Sequence, residues 1–356
     1  MQPELQQRGR ASMDFLAAFG GVIGASRRAI STELAEAGLV PGALADDFDA
    51  RLAQFEAALA AAPTTSRYVV LRDWMASHHG PIAMEAFDEM RPAIEPALQA
   101  LQQRGPTTLE RAAADPTPDY ARGIAFHRTA TWDGHDYMGF VHGELIHRKI
   151  VARNFGGDIY AQRRGMLDEL RRDHYPRILE LGTSSGNLTV ALSQRFPQAA
   201  ITGLDMSLRM LEQAQRVGNE LGQAWRLVQR AAEATGFEAA SFDLVAAYSF
   251  GHEMPERALR RILRESWRVL APGGELIIGD VLPFSAQDKL AQCWAQFEAV
   301  HGGEPYWREF CSLDMAAVAT EEGFVAARYF AHGERRFPFV LHALKPVAIG
   351  GAEAPR

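Results

Sequence analysis

Cysteine is scarce. Cys293 and Cys311 are the only two in 356 residues, with neither metal-type spacing nor the number that a disulfide framework needs. Reduced thiols and a cytoplasmic location are the expectation. No stretch approaches the ~18 consecutive apolar residues of a membrane span, so no membrane partner is expected. The opening "MQPELQQRGR" lacks the apolar core of a secretory signal. Positive charge is in deficit, 37 Lys and Arg against 44 Asp and Glu for a net charge of −7, which argues against a nucleic-acid partner. What is present is ordinary for a soluble globular chain: 47% hydrophobic and 23% charged residues. The length suits about two domains.

Residues 1–165 read as a helical N-terminal domain and lid. In "FDARLAQFEAALAA" the residues Phe48, Leu52, Phe55 and Leu59 fall on one helix face. Pro41-Gly42, Gly80-Pro81, Gly105-Pro106 and "DPTPD" punctuate the helical stretches, and no alternating strand pattern is found there. From Arg177 the pattern changes. Apolar runs at 177–181, 199–205, 224–229, 242–248 and 274–282 alternate with amphipathic helices, which means βαβ units and a parallel sheet covered on both faces. "FVAARYFAHGERRFPFVLHALKP" adds two strand-like runs around a turn, an antiparallel pair at the sheet's end. The second domain is set at 166–346, and 347–356 is expected to be a disordered tail.

One stretch, "RILELGTSSGNL" at 177–188, fits two motifs. Gly182-Thr183-Ser184-Ser185-Gly186 matches the G-x-S-x-G elbow of serine hydrolases. With Glu180 in front, it also matches an acid-x-G-x-x-x-G cofactor loop. A hydrolase elbow follows several strands, whereas this is the first strand of its sheet. A cofactor loop calls for an acid at the end of the next strand, roughly 20 residues on. Asp205 stands there, nineteen residues after Gly186, and its carboxylate suits a ribose diol. The cofactor reading is preferred, and Ser184 is not expected to be a nucleophile.

"ILELGTSSGNLTVAL", "AITGLDMSLRMLEQA", "RAAEATGFEAASFDLV" and "RVLAPGGELIIGDVL" resemble successive motifs of the class I S-adenosylmethionine-dependent methyltransferases, closest in flavour to those of quinone biosynthesis. The resemblance implies an α/β fold: a Rossmann-like, doubly wound, mostly parallel sheet with an antiparallel terminal strand, here preceded by an all-α N-terminal domain. It also implies S-adenosylmethionine as cofactor. Carried over, Glu180 would bind the methionine amino group; Gly182, Thr183, Ser184 and Gly186 would form the loop beneath the cofactor; Asp205 would hold the ribose; and Met206 would lie against adenine. Two departures stand out. Ser184 replaces a common glycine, and Ala231 replaces an Asp that receives the adenine amino group, leaving Ala232 and Glu233 to serve the adenine end.

The fourth of these strands ends in "AYSFGHEMPE", which puts Tyr248, Ser249 and His252 near the transferable methyl. His252 is the candidate base, on its similarity to the "L-H-D-W" segment of small-molecule O-methyltransferases. A second cluster, "HRTATWDGHDYMGFVHGELIHRKI" at 127–150, holds His127, His135, His142 and His147. Gly139 and Gly143 weaken a helix there, and Tyr137 and His142 are expected to face the acceptor from a bent lid. Tyr160 is a further candidate contact to the sulfonium. Without H-E-x-x-H or Cys/His spacing, no metal is expected. The leading expectation is a methyltransferase acting on a small molecule enclosed by the helical half; a homodimer stays open. Two rivals also stay open: attack at the cofactor's aminobutyrate carbon with release of methylthioadenosine, and a non-catalytic cofactor-binding module.

Overall fold

The computed structural model describes residues 4–124, 132–155, 157–334 and 336–347. His127 and all but the first residue of the expected disordered tail lie outside them. Eight strands form one sheet: β1 (Thr108–Glu110), β2 (Arg177–Leu181), β3 (Ala200–Asp205), β4 (Arg226–Gln229), β5 (Phe242–Tyr248), β6 (Leu270–Asp280), β7 (Val325–Ala331) and β8 (Phe339–Leu344). Their order is β1-β4-β3-β2-β5-β6-β8-β7. β1 to β6 run parallel, and β8 pairs antiparallel with both β6 and β7. The order reverses at β2, whose neighbours are β3 and β5. The carboxyl ends of these three strands therefore open a crevice, the usual place for a ligand in a doubly wound sheet.

The helices are α1 (Gln7–Glu36), α2 (Phe48–Ala61), α3 (Thr65–Gln103), α4 (Met138–Phe140), α5 (Ala161–Leu167), α6 (Asn187–Arg195), α7 (Leu208–Glu220), α8 (Glu256–Val269), α9 (Lys289–Gly302), α10 (Trp307–Cys311) and α11 (Met315–Glu321). Among the described residues none is long and apolar enough to cross a membrane. The apolar strands are covered on both faces. Leu179, Val245, Leu276 and Ile278 pack toward α8 and α11, and Ile178, Leu244 and Ile277 toward α5 and α6. Phe55 and Leu59 of α2 are buried as their spacing predicts.

Three features of the N-terminal half differ from the sequence expectation. It is not all-α: Thr108–Glu110 pairs in parallel with β4 and extends the sheet's edge. Three residues are too few for alternation to reveal, and the pairing is fixed from outside. Asn219 of α7 accepts from the Thr107 N–H at 2.8 Å and donates to the Leu101 carbonyl at 2.7 Å. Next, Gly80-Pro81 does not interrupt α3, which runs through Pro81, Pro92 and Pro96. Each proline forfeits one helical hydrogen bond, but the stripe of Tyr68, Ala76, Ala83, Phe87, Met90 and Leu98 keeps burying the same face. Finally, the glycines at 139 and 143 do not bend the chain out of a helix. Val141–Ile150 forms a π-helix directly after α4. A Cβ on Gly139 would meet the Arg209 carbonyl at 2.2 Å, and one on Gly143 the Ser185 hydroxyl at 2.8 Å. These glycines serve close packing against α7 and the loop after β2.

Candidate active site

The crevice opens into a cavity of about 560 Å³. One wall is the loop after β2. Gly182 has φ +67°, and a Cβ there would lie 2.5 Å from the Phe250 ring, so both conformation and space require glycine. Ser184 adopts φ +50° in the position where relatives of the motif often carry glycine. Its N–H donates to Asp205 Oδ2 at 2.8 Å, and its hydroxyl lies 3.8 Å from the Met210 sulfur. Among the described residues no histidine or carboxylate bonds that hydroxyl, so Ser184 belongs to the loop and lacks the base an activated nucleophile needs. Gly186, at φ +90°, starts α6 and does not line the cavity; it shapes the turn behind the site.

Glu180 is fully buried. Its Oε2 accepts from the Thr189 hydroxyl at 2.6 Å, while its Oε1 is buried with no hydrogen-bond partner. Burial pushes its pKa up to about 8, against the pull of the Thr189 bond and Arg163. A buried acceptor left unsatisfied in a cavity wall calls for a donor from a ligand. Arg163, absent from the sequence-based candidates, lines the same end. Its guanidinium lies 4.3 Å over the Tyr248 ring and bonds the Ile159 carbonyl. Burial lowers its pKa, and among the described residues it forms no ion pair. Glu180 and Arg163 together suit the ammonium and carboxylate of an amino acid.

At the end of β3, Asp205 accepts from the Ser184 and Ser207 N–H groups, each at 2.8 Å. Burial, reinforced by Asp133, pushes its pKa up to about 6. Each oxygen retains a second acceptor direction, as a diol requires. Met206, Ala231, Ala232 and Glu233 continue the lining. Ala231 leaves room, and Glu233 Oε1 is buried without a hydrogen-bond partner, an acceptor for an exocyclic amine where the usual Asp is missing.

Beyond the end of β5, Tyr248, Ser249 and His252 line the cavity. The Tyr248 hydroxyl donates to Gln162 at 2.8 Å. His252 is 5% exposed, and its Nδ1 lies 2.5 Å from Asp280 Oδ1. Burial opposes the charged ring, but the carboxylates of Asp280, Glu253 and Glu304 outweigh it and hold the pKa up to about 10. This counts against the expected general base, because the surrounding carboxylates favour the charged ring. Asp280, at the end of β6, also accepts from the Phe250 and Gly251 N–H groups at 3.0 and 2.7 Å, and so fixes the loop that carries His252.

The lid candidates divide. His142 lines the cavity, its ring 4.2 Å from His147 and 5.0 Å from Trp132. The π-helix brings His142 and His147 together, because its i→i+5 bonding places residues five apart on neighbouring turns. Tyr137 does not line the cavity. It is buried between Arg91 and Arg216 and donates its hydroxyl to Glu95 at 2.8 Å. Tyr160 does not line it either; its hydroxyl accepts from Arg148 at 2.8 Å. The far wall comes from α3, where Arg72, Met75, Ala76 and His79 occupy one face at helical spacing.

A family model described as a methyltransferase domain matches residues 178–274. Demethylmenaquinone methyltransferase of Thermus thermophilus is 34% identical over 142 residues, 39% of this chain and 61% of that one. The chain thus spans less than two thirds of that relative. Trans-aconitate 2-methyltransferase of Streptomyces avermitilis is 32% identical over 212 residues, 55% of this chain and 73% of that one. A solved structure of Haemonchus contortus phosphoethanolamine N-methyltransferase 2 with S-adenosyl-L-methionine is 16% identical and covers 53% of each chain, with a TM-score of 0.42. With an acid in β2 just ahead of a glycine turn, a second acid ending β3, and matched relatives that are methyltransferases, this chain belongs to the class I S-adenosylmethionine-dependent methyltransferase family.

Proposed function

We propose that the protein methylates a small molecule enclosed between the carboxyl edge of the sheet and the N-terminal helices. One observation carries this reading. The cavity that holds the cofactor residues Glu180, Gly182, Asp205 and Met206 is continuous with a wall built from Met75, Ala76, Ile146 and Ile150. That wall is largely apolar and leaves room for an acceptor beside the cofactor.

The residues fit the cofactor. Glu180 Oε1 takes its ammonium, Arg163 its carboxylate, Asp205 the ribose hydroxyls and Glu233 the adenine amine. S-adenosylmethionine supplies an electrophilic methyl on a sulfonium. The protein's part is to orient a nucleophile, exclude water and receive a proton if the nucleophile holds one. His252 holds the loop after β5 in place through Asp280. Proton acceptance falls to the His142–His147 pair. Residues 1–165 act in this reading as the cover that closes the acceptor chamber, and residues 166–346 as the cofactor-binding half.

The test is mass spectrometry of cofactor products after incubation with a panel of small carboxylic acids, phenols and quinols. S-adenosylhomocysteine that depends on the acceptor supports the proposal. Methylthioadenosine without an acceptor overturns it in favour of attack at the aminobutyrate carbon. His142→Ala is expected to lower turnover at least tenfold while cofactor affinity stays within about twofold.

A further inference from the structure

We infer that His252, Glu253 and Glu304 form a divalent-cation site at the acceptor end of the cavity, which reverses the expectation of no metal. One ligand atom from each of the three lies within 4.8 Å of the others. The site is built from two separate pieces of chain, each held rigidly. The first follows β5. His252 and Glu253 belong to the 3₁₀ turn Gly251–Glu253, which Asp280 anchors through the Phe250 and Gly251 N–H groups. The second ends α9. Gly303 adopts φ +83°, and the Glu304 N–H bonds back to the Ala299 carbonyl at 2.9 Å, a Schellman closure that fixes where Glu304 departs.

The histidine supplies the independent observation. His252 is 5% exposed, and its Nδ1 is committed to Asp280 Oδ1 at 2.5 Å. A carboxylate on one ring nitrogen orients the other nitrogen as a metal ligand, the arrangement found behind most metal-bound histidines. Among the described residues Nε2 makes no hydrogen bond, and a cation binding there takes the place of the ring proton that the nitrogen carries without it. Its nearest carboxylate oxygen, Glu253 Oε1, is 3.7 Å away, too far for one. Two ligands each about 2.1 Å from a common ion stand roughly 3–4 Å apart, so this gap suits a cation between them. Trp307 and Phe310 flank the ring at 5.4 and 6.4 Å and provide the apolar surround that strengthens such a site.

One nitrogen and two carboxylates leave coordination positions unused, the pattern of a site that also binds a substrate or water. His252 and Glu253 both line the cavity, so those positions face it. The donor set suits Mn²⁺, Fe²⁺ or Zn²⁺. Given the methyltransferase reading, the ligand that completes the site is an oxygen of the acceptor, a hydroxyl or carboxylate, held beside the end of β5. No local spacing announces this site, because Glu304 lies 51 residues beyond Glu253.

The test uses the full chain after EDTA treatment and dialysis. Mn²⁺ is titrated and followed by loss of the free-ion EPR signal, and Zn²⁺ is titrated calorimetrically. About one ion per chain is expected. Glu304→Gln and Glu253→Gln, both near-isosteric, should each weaken Mn²⁺ binding at least tenfold, and Asp280→Asn about tenfold through the orientation of His252. Melting curves check that each variant folds. S-adenosylmethionine affinity, measured in EDTA, should stay within about twofold in Glu304→Gln. Absence of stoichiometric binding, or binding indifferent to both glutamine variants, overturns the site. If Mn²⁺ binds as expected but no S-adenosylmethionine does, the methyltransferase reading fails and the metal site stands.

Discussion

Replacing Glu180 by glutamine should make the protein more stable and a poorer cofactor binder at once. The carboxyl is fully buried, with one oxygen bonded to Thr189 and the other unsatisfied, and burial raises its pKa from the ordinary 4.5 to about 8. At pH 7 the ligand-free protein therefore keeps this group protonated, whereas the unfolded chain ionises it. An acid whose folded pKa is raised loses stability as pH climbs from the unfolded value to the folded one. Since pH 7 lies 2.5 units above 4.5, the cost is up to about 3 kcal/mol at 1.36 kcal/mol per unit. Glutamine has no proton to lose, so Glu180→Gln should raise the midpoint of urea unfolding at pH 7 and scarcely change it at pH 4.5. Cofactor binding runs the other way. The bound ammonium requires the carboxylate, so binding to the wild type releases a proton below pH 8 at a cost of about 1.4 kcal/mol at pH 7. Kd for S-adenosylhomocysteine, which carries the same ammonium, should fall about tenfold per pH unit between 6.5 and 8, then level off. Asp205, at about 6, contributes only below that window. Calorimetry in buffers of different ionisation enthalpy counts the proton directly. In Glu180→Gln the slope should vanish and Kd at pH 8 should rise at least tenfold. A flat wild-type profile with no proton released would refute the reasoning.

Asp205→Ala removes the carboxylate bonded to the Ser184 and Ser207 N–H groups, and should weaken cofactor binding by about 1.5–3 kcal/mol, read as Kd. Arg163→Met keeps a long apolar stem over Tyr248 but deletes the cation. Its Kd should rise tenfold or more, and an unchanged Kd would remove Arg163 from the site. Gly182→Ala forces a Cβ to 2.5 Å from Phe250 at φ +67°, so a loss of roughly 1–3 kcal/mol in chemical denaturation and weaker cofactor binding are expected together. Tyr137→Phe should leave turnover nearly unchanged, because the hydroxyl serves Glu95 away from the cavity. The expected loss is about 1 kcal/mol of stability, and a large drop in turnover would restore Tyr137 to the acceptor side.

Some of this protein is written locally in its sequence. β2 and β5 fall where short apolar runs mark them, since a strand buried on both faces reads as a continuous apolar segment, and the β7–β8 pair falls around its expected turn. The loop at 182–186 and the acid at 205 were legible for the same reason: a strand, a glycine turn and an acid at a fixed offset form a local geometric unit. Other features depended on partners far along the chain. Thr108–Glu110 is a strand only because β4 offers an edge, and α3 crosses three prolines only because one face stays buried throughout. Tyr137 is as aromatic and as near His142 as a site residue would be, yet Glu95, Arg91 and Arg216 draw it into the helical core. His252 sits where sequence analogy expected a base, but Asp280, 28 residues on, orients its ring and favours its charged form. Periodicity reports that a side chain is buried or exposed. What it is buried against, and therefore its charge and its chemistry, is set by distances between segments that only the folded chain brings together.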